Sequence, residues 1–225
     1  RYGGVIMLAL SSSAFAANNI QWTYDTTNTV YDTTTGVTNW NNHYSANATF
    51  SWSSNDAATN AGSGSLSIAY AADLVGNQSL IFSGFETNGS ALAVNLNNYQ
   101  SVEFDIFVDP SSAPSASGSL GNLQVHGFNN YNYTSIGQYT VPAAATSSWQ
   151  HVSLSIPNGV GTQTGPAFIL KDWEGSNWPN NPGPVTYYID NLTFVAKPPV
   201  PAVDVQPLNQ EVFSGQSVNW QVVAS

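Results

Sequence analysis

The sequence predicts an all-β chain built around one sandwich or barrel of strands, and three observations carry that prediction. Between residues 17 and 196 two-residue alternation of apolar and polar positions recurs along the chain, and no stretch of helical length sets apolar residues at i, i+3, i+4 and i+7. The apolar runs are short, and the segments between them are rich in Gly, Pro, Asn and Ser, the residues that close turns. No self-similarity recurs at a period of roughly 20 to 50 residues, which argues against a solenoid or a propeller.

The strands follow in order. Alternation places them at Thr49 to Ser53, Ser65 to Tyr70, Ser79 to Gly84, Ser101 to Val108, Asn122 to Phe128, Gln138 to Val141, Gln150 to Ile156, Ala167 to Lys171 and Val185 to Val195. Asn55 to Gly64, Asp109 to Gly121, Asn158 to Gly165 and Glu174 to Gly183 read as the loops at the ends of the sandwich. Alternation also assigns faces. Val102, Phe104 and Ile106 point one way and Glu103, Asp105 and Phe107 the other. Leu123 and Val125 oppose Gln124 and His126, while Phe168 and Leu170 oppose Ile169, Lys171 and Trp173. Trp22, Trp40 and Trp52 lie in or beside strands and are expected in the core; His43 falls in a loop and His151 at an outward strand position.

At roughly 100 to 200 residues per domain, 225 residues allow one sandwich-sized domain with attachments or two small domains. Charged residues make up only 7% of the chain, so neutral Asn, Ser, Thr and Gly must supply its solubility, and 12% aromatic residues are enough to build a core. A net charge of -10 lacks the cationic footprint that phosphate backbones and anionic membranes require, so nucleic acid is excluded as a partner. With no cysteine, disulfides, thiolate metal sites and cysteine nucleophiles are excluded too.

The ends are distinct. Arg1, the apolar run Val5 to Leu10 and the small residues ending in Ala14-Phe15-Ala16 form a secretory signal with an A-x-A cleavage site, which leaves Ala17 first and predicts a secreted or cell-surface protein. No later run approaches the roughly 18 apolar residues of a membrane span, so membrane insertion is not expected. Residues 17–196 are the central domain. Residues 197–202, opening Lys197-Pro198-Pro199, form a stiff extended linker, because proline fixes the backbone and cannot join a central strand. Residues 203–225 alternate like two strands around Ser214-Gly215 and resemble the opening of a bacterial immunoglobulin-like repeat. A signal, a module and a linker into another module describe part of a larger bacterial extracellular protein with a monomeric central module.

Four stretches of the central domain carry a family resemblance. They are Gly62-Ser63-Gly64-Ser65-Leu66-Ser67-Ile68, Tyr99 to Val108, Trp149-Gln150-His151-Val152-Ser153-Leu154, and Tyr187-Tyr188-Ile189-Asp190-Asn191-Leu192. In their order and spacing these resemble a jelly-roll carbohydrate-binding module of the galactose-binding-domain-like type. The resemblance implies an antiparallel β-sandwich whose concave face binds a polysaccharide or oligosaccharide without catalysis. It also implies one structural calcium ion on Asp190, with Asp25 and Asp32 as candidate partners; the residues alone leave open that Asp190 caps a turn or accepts backbone hydrogen bonds.

The residues themselves point the same way. If their three strands share one sheet, Glu103, Asp105, Gln124, His126, Lys171 and Trp173 line one polar face. Sugar hydroxyls need donors and acceptors, and the apolar side of a pyranose packs on a flat ring such as Trp173. Lys171 is the one basic residue between Ala17 and Ala196, set beside Trp173; its alternative is a surface ion pair with Glu103 or Asp105. Tyr131, Tyr133 and Trp178 are expected in loops, where they wall the groove or cover the edge of the core. The charge favours a neutral glycan, with Lys171 able to receive one uronate.

Two further classes stay open at this point. Glu103-x-Asp105 is similar to the Glu-x-Asp strand of jelly-roll glycoside hydrolases, but no second Glu follows it on that strand. A polysaccharide lyase could use His126, Lys171 or a Tyr as base. No catalytic residue is assigned. A structural or adhesive surface module would present the Asn- and Thr-rich surface without binding a glycan.

Overall fold

The computed structural model describes residues 17–22, 24, 41–44, 48–57, 64–70, 78–82, 86–87, 90–112, 118–130, 132–171, 185–199, 203–205 and 223–224. Their strands are β1 (Ile20–Trp22), β2 (Asn41–Tyr44), β3 (Ala48–Ser53), β4 (Ser65–Tyr70), β5 (Gln78–Phe82), β6 (Glu86–Thr87), β7 (Ser90–Ala91), β8 (Val94–Asn95), β9 (Tyr99–Val108), β10 (Ser119–Asn129), β11 (Asn132–Pro142), β12 (Gln150–Ser155), β13 (Thr162–Gln163), β14 (Gly165–Lys171), β15 (Val185–Ala196), β16 (Val203–Val205) and β17 (Val223–Ala224). Two sheets dominate. The first runs β12-β9-β15-β4-β3, with β1 pairing on β15, and the second runs β11-β10-β14-β5-β2. Every pairing is antiparallel. Because the chain steps repeatedly from one sheet to the other, neighbours in sequence often lie on opposite layers.

The inner faces follow the alternation of the sequence. Val102, Phe104 and Ile106 of β9, Leu123 and Val125 of β10 and Phe168 of β14 are fully buried, and so are Leu66, Ile68 and Tyr70 of β4. Phe104 of the first sheet meets Phe168 of the second edge-on at 5.8 Å. Tyr187 of β15 crosses the core and donates its hydroxyl to the Leu120 carbonyl of β10 at 2.6 Å, which ties the two sheets by a hydrogen bond as well as by packing. Trp22 is buried as expected, tilted against Phe194. Trp52 is half-buried and donates its indole N–H to the Tyr24 carbonyl. Trp40 lies outside the described residues.

Gly64 shows why a glycine leads β4. A Cβ there would overlap the Ser53 carbonyl oxygen and the Trp52 indole, so only hydrogen lets the strand close on β3.

Three local readings of the sequence are corrected. Tyr133 is not in a loop but on β11, which begins at Asn132 rather than Gln138. Asn129 pairs with Asn132, and Asn130 takes a left-handed backbone with φ 44, which asparagine tolerates, so the connection is a two-residue hairpin. His43 lies in β2. Single 3-10 turns occur at Leu96–Asn98, where the Asn95 side chain accepts from the Asn97 N–H, and at Ala143–Thr146.

The chain divides into a unit spanning Asn18–Ala196 and a second unit formed by both ends, Arg1–Ala17 with Lys197–Ser225. In that second unit β16 pairs with β17. Among the described residues no helix is long and apolar enough to cross a membrane.

Candidate functional site

The polar face expected from alternation divides between the two layers. Glu103 and Asp105 stand on β9 in the first sheet, whereas Gln124 and His126 stand on β10 and Lys171 ends β14, both in the second. Alternation fixes which way a side chain points from its own sheet, but β9 and β10 belong to opposite layers of a sandwich whose sheets pack about 10 Å apart. Their outward faces therefore look away from each other. Trp173, Tyr131, Trp178, Asp25 and Asp32 lie outside the described residues, and of Lys171 only the backbone, paired with Asn122 and with Gln78, is described.

On the outer face of the second sheet a connected polar chain crosses two strands. Gln124 donates its amide to Gln138 Oε1 at 3.1 Å, and its own Oε1 lies 3.4 Å from His126 Nε2, which must carry the hydrogen for that contact to be a bond. The Gln124 amide keeps one donor hydrogen and one acceptor lone pair for a ligand hydroxyl. His126 stands edge-on to Tyr133, ring centroids 6.2 Å apart, and Tyr133 packs on an apolar patch of Phe128, Ala167 and Ile169. Two outward residues are more enclosed than alternation suggests: His126 is 8% exposed and Ile169 5%. This face therefore presents the half-buried Tyr133 ring and the Gln124-Gln138 amide pair over a buried layer of His126, Phe128, Ala167 and Ile169.

Gln138, absent from the sequence-based site, joins through a register shift. The hairpin register that pairs His126 with Ser135 would set Gly137 opposite Gln124; a bulge after Val125 leaves Ile136 over, buries it, and moves Gln138 opposite Gln124. Alternation alone carries no sign of that extra residue.

The outer face of the first sheet carries a second network. His151 Nδ1 lies 2.9 Å from Asp105 Oδ1, Asn191 donates to Asp105 Oδ2 at 2.9 Å, and Ser101 and Ser153 both donate to Glu103 Oε1. Both carboxylates are held by neighbouring strands, because β12 and β15 flank β9 in register.

Asp190 occupies a third environment. Asp190 pairs with Asp105 just before a bulge in β15 that reaches to Thr193, with Asn191 at φ 52, and only 1% of the residue is exposed. It accepts the Asn191 N–H at 2.7 Å and the Ala57 N–H at 3.1 Å, so backbone hydrogen bonding, left open by the sequence, is present. Burial pushes its pKa up to about 7, the two N–H bonds pull it back, and the neighbouring Asp56 carboxyl raises it further. The buried Asp190 carboxyl and the half-buried Asp56 carboxyl together form a hard oxygen donor set of the kind calcium takes, and Asp56 is a partner that the sequence does not reveal. Among the described residues no group of three or more His, Cys, Asp or Glu side chains is placed to hold a metal, so further ligands would have to be carbonyl oxygens or residues outside that set.

Comparison with solved structures agrees with this architecture. The domain is similar to CBM27-1 of Caldicellulosiruptor saccharolyticus, determined in complex with mannohexaose, with 15% identity over 80% of this chain and 98% of that one and a TM-score of 0.52. It is also similar to the family 11 carbohydrate-binding module of Clostridium thermocellum, determined with a β-1,3-1,4-mixed-linked tetrasaccharide, at 14% identity over 75% of this chain and 95% of that one, TM-score 0.43. No protein-family model matches the sequence, and no curated protein matches it. The fold is the antiparallel β-sandwich jelly roll of carbohydrate-binding modules.

Proposed function

We propose that this protein is a non-catalytic carbohydrate-binding module that holds a polysaccharide or oligosaccharide on the outer face of its second sheet. The observation that carries the reading is the row of Gln138, Gln124 and His126 beside Tyr133, whose ring is held from below by the buried Phe128, Ala167 and Ile169. Such a surface supplies donors and acceptors for hydroxyls together with the Tyr133 ring as an apolar seat for C–H groups. In this reading Trp173 stacks a sugar ring, Lys171 bonds its hydroxyls, and Tyr131 and Trp178 border the groove. Glu103 and Asp105 take no part in this site, because their sheet faces the other way. The ligand is neutral, in keeping with the net charge of -10. A few stacked and hydrogen-bonded contacts leave about -4 to -8 kcal/mol, or millimolar to micromolar affinity.

The wider reading is a secreted or surface-bound, monomeric module that targets a larger extracellular protein to its substrate, with residues 203–225 opening an immunoglobulin-like repeat. One calcium ion bound by Asp190 and Asp56 serves structure by compensating the buried charge of Asp190. The test is affinity electrophoresis of the full chain through gels containing soluble plant, algal and microbial polysaccharides, with calcium and with chelator. Retardation by at least one glycan is expected; a folded all-β protein retarded by none overturns the reading.

A further inference from the structure

The outer face of the first sheet carries more than its polar network. Phe107 of β9 pairs in register with Tyr188 of β15, and Trp149 directly precedes Gln150, which pairs with Ile106. The three rings therefore form one row across β15, β9 and the residue that leads into β12. Phe107 lies 5.6 Å from Trp149 at an interplanar angle of 34° and 6.1 Å from Tyr188 at 30°, and each ring is half-buried. The row is not needed to fill the core, whose share of β9 is already supplied by Val102, Phe104 and Ile106 on the opposite face.

Carboxylates border the rings. Tyr188 donates its hydroxyl to Asp109 Oδ2 at 3.2 Å, Asp105 lies two residues along the strand from Phe107, and Glu103 lies two further. Glu103 Oε1 accepts both serine hydroxyls, while its Oε2 is 3.9 Å from His151 Nε2, too far for a hydrogen bond, and so keeps acceptor capacity. No Lys or Arg occurs on any strand of this sheet.

We propose that this face is a second glycan-binding surface, on the side of the sandwich opposite the first. A chain of pyranose units lies across the strands, its C–H groups on the Trp149, Phe107 and Tyr188 row and its hydroxyls donating to Glu103, Asp105 and Asp109. Ionised carboxylates only accept hydrogen bonds, so the ligand must bring donors. Charge complementarity selects a neutral or amino-sugar polymer and rejects a polyuronate, which would set like charges together without a compensating cation.

The inference rests on the carbohydrate-binding reading, and the experiment separates the two. The full chain, Gln124→Ala/Gln138→Ala on the second sheet, Trp149→Ala on the first and the combined variant run through gels containing soluble β-mannan, mixed-linkage β-glucan, partly deacetylated chitosan or polygalacturonate. Glu103→Gln, an isosteric change on the open face, stands in if Trp149→Ala does not fold. Residual retardation of the Gln124→Ala/Gln138→Ala protein by mannan, glucan or chitosan, lost when a first-sheet change is added, is the expected result. Complete loss of retardation in Gln124→Ala/Gln138→Ala alone overturns the second surface and leaves the binding reading standing. Retardation of the wild type by none of the gels overturns both. Residual retardation by polygalacturonate alone, or a first-sheet change that alters the mass by light scattering but not retardation, overturns the second surface by making the face an anion site or a contact between copies.

Discussion

Asp190 allows a test whose sign is fixed by the structure. Its carboxyl is held at about 7 in the folded chain against an ordinary value of 3.8. A shift of some three units, at 1.36 kcal/mol each, corresponds to about 4 kcal/mol. The direction follows from linkage: the folded state binds the proton more tightly than the unfolded one. The contribution is therefore fully present below the ordinary carboxylate range and is lost as pH rises through about 7. In chelator, thermal unfolding followed by circular dichroism should lose stability between pH 4.5 and 8. About 3 of those 4 kcal/mol are lost within that window, so at about 2 to 4 °C per kcal/mol for a domain of this size the midpoint falls by roughly 6 to 12 °C. Asp190→Asn cannot ionise, so its curve should be nearly flat over that window, though lower at acid pH because an amide offers one acceptor oxygen to the two N–H groups of Ala57 and Asn191. Calcium binds only the ionised carboxylate, so its addition should raise the wild-type midpoint most at the alkaline end. Parallel curves for wild type and Asp190→Asn in chelator would refute the assignment of the buried proton to Asp190, and no response to calcium at pH 8 would refute the metal.

Three further predictions concern the core and the site. Gly64→Ala forces the Ser53 carbonyl and the Trp52 indole apart and strains the Trp52 to Tyr24 hydrogen bond, so a loss of about 2 to 4 kcal/mol is expected in denaturant unfolding. Tyr187→Phe leaves the Leu120 carbonyl unpaired inside the sandwich and should cost about 1 to 3 kcal/mol by the same measurement, without change in glycan retention. Gln124→Ala should weaken retention in gels containing the bound glycan while changing stability by less than about 1 kcal/mol, since its side chain is only half-buried.

The fold was legible because alternation is a local property and the sandwich is built from it. Ser65 to Tyr70 reads as a strand with the bounds it has, and Val102, Phe104 and Ile106 read as the core they form. The candidate site was less legible, because it depends on which strands neighbour each other. Nothing in the spacing of Glu103 and Gln124 says that β9 and β10 lie in different sheets. The hairpin at Asn129 to Asn132 hid in an Asn- and Tyr-rich stretch that reads equally well as a loop, and the bulge that brings Gln138 to Gln124 leaves no compositional trace. Asp56 escaped notice because its nearness to Asp190 arises only where the loop after β3 reaches the bulge in β15.

Two glycan surfaces on opposite sides of one sandwich would have a consequence that neither has alone. Each side offers half-buried rings, amides, hydroxyls or paired carboxylates, and each such surface exchanges hydrogen bonds with water for hydrogen bonds with hydroxyls at little net gain. Single-site affinity is therefore modest, and it rises only if a second contact becomes intramolecular. Faces that look in opposite directions cannot share a short oligosaccharide, so the gain is confined to polymers presented as bundles or networks, where one module bridges two chains. A wild-type protein with two competent faces should then cross-link a soluble polysaccharide and raise its viscosity or light scattering near equal ratios of sites to chains. The effect should disappear when either Trp149→Ala or Gln124→Ala/Gln138→Ala removes one face, although retardation in the gel would persist through the other. Equal viscosity in wild type and single-face variants would mean that only one side of the sandwich binds.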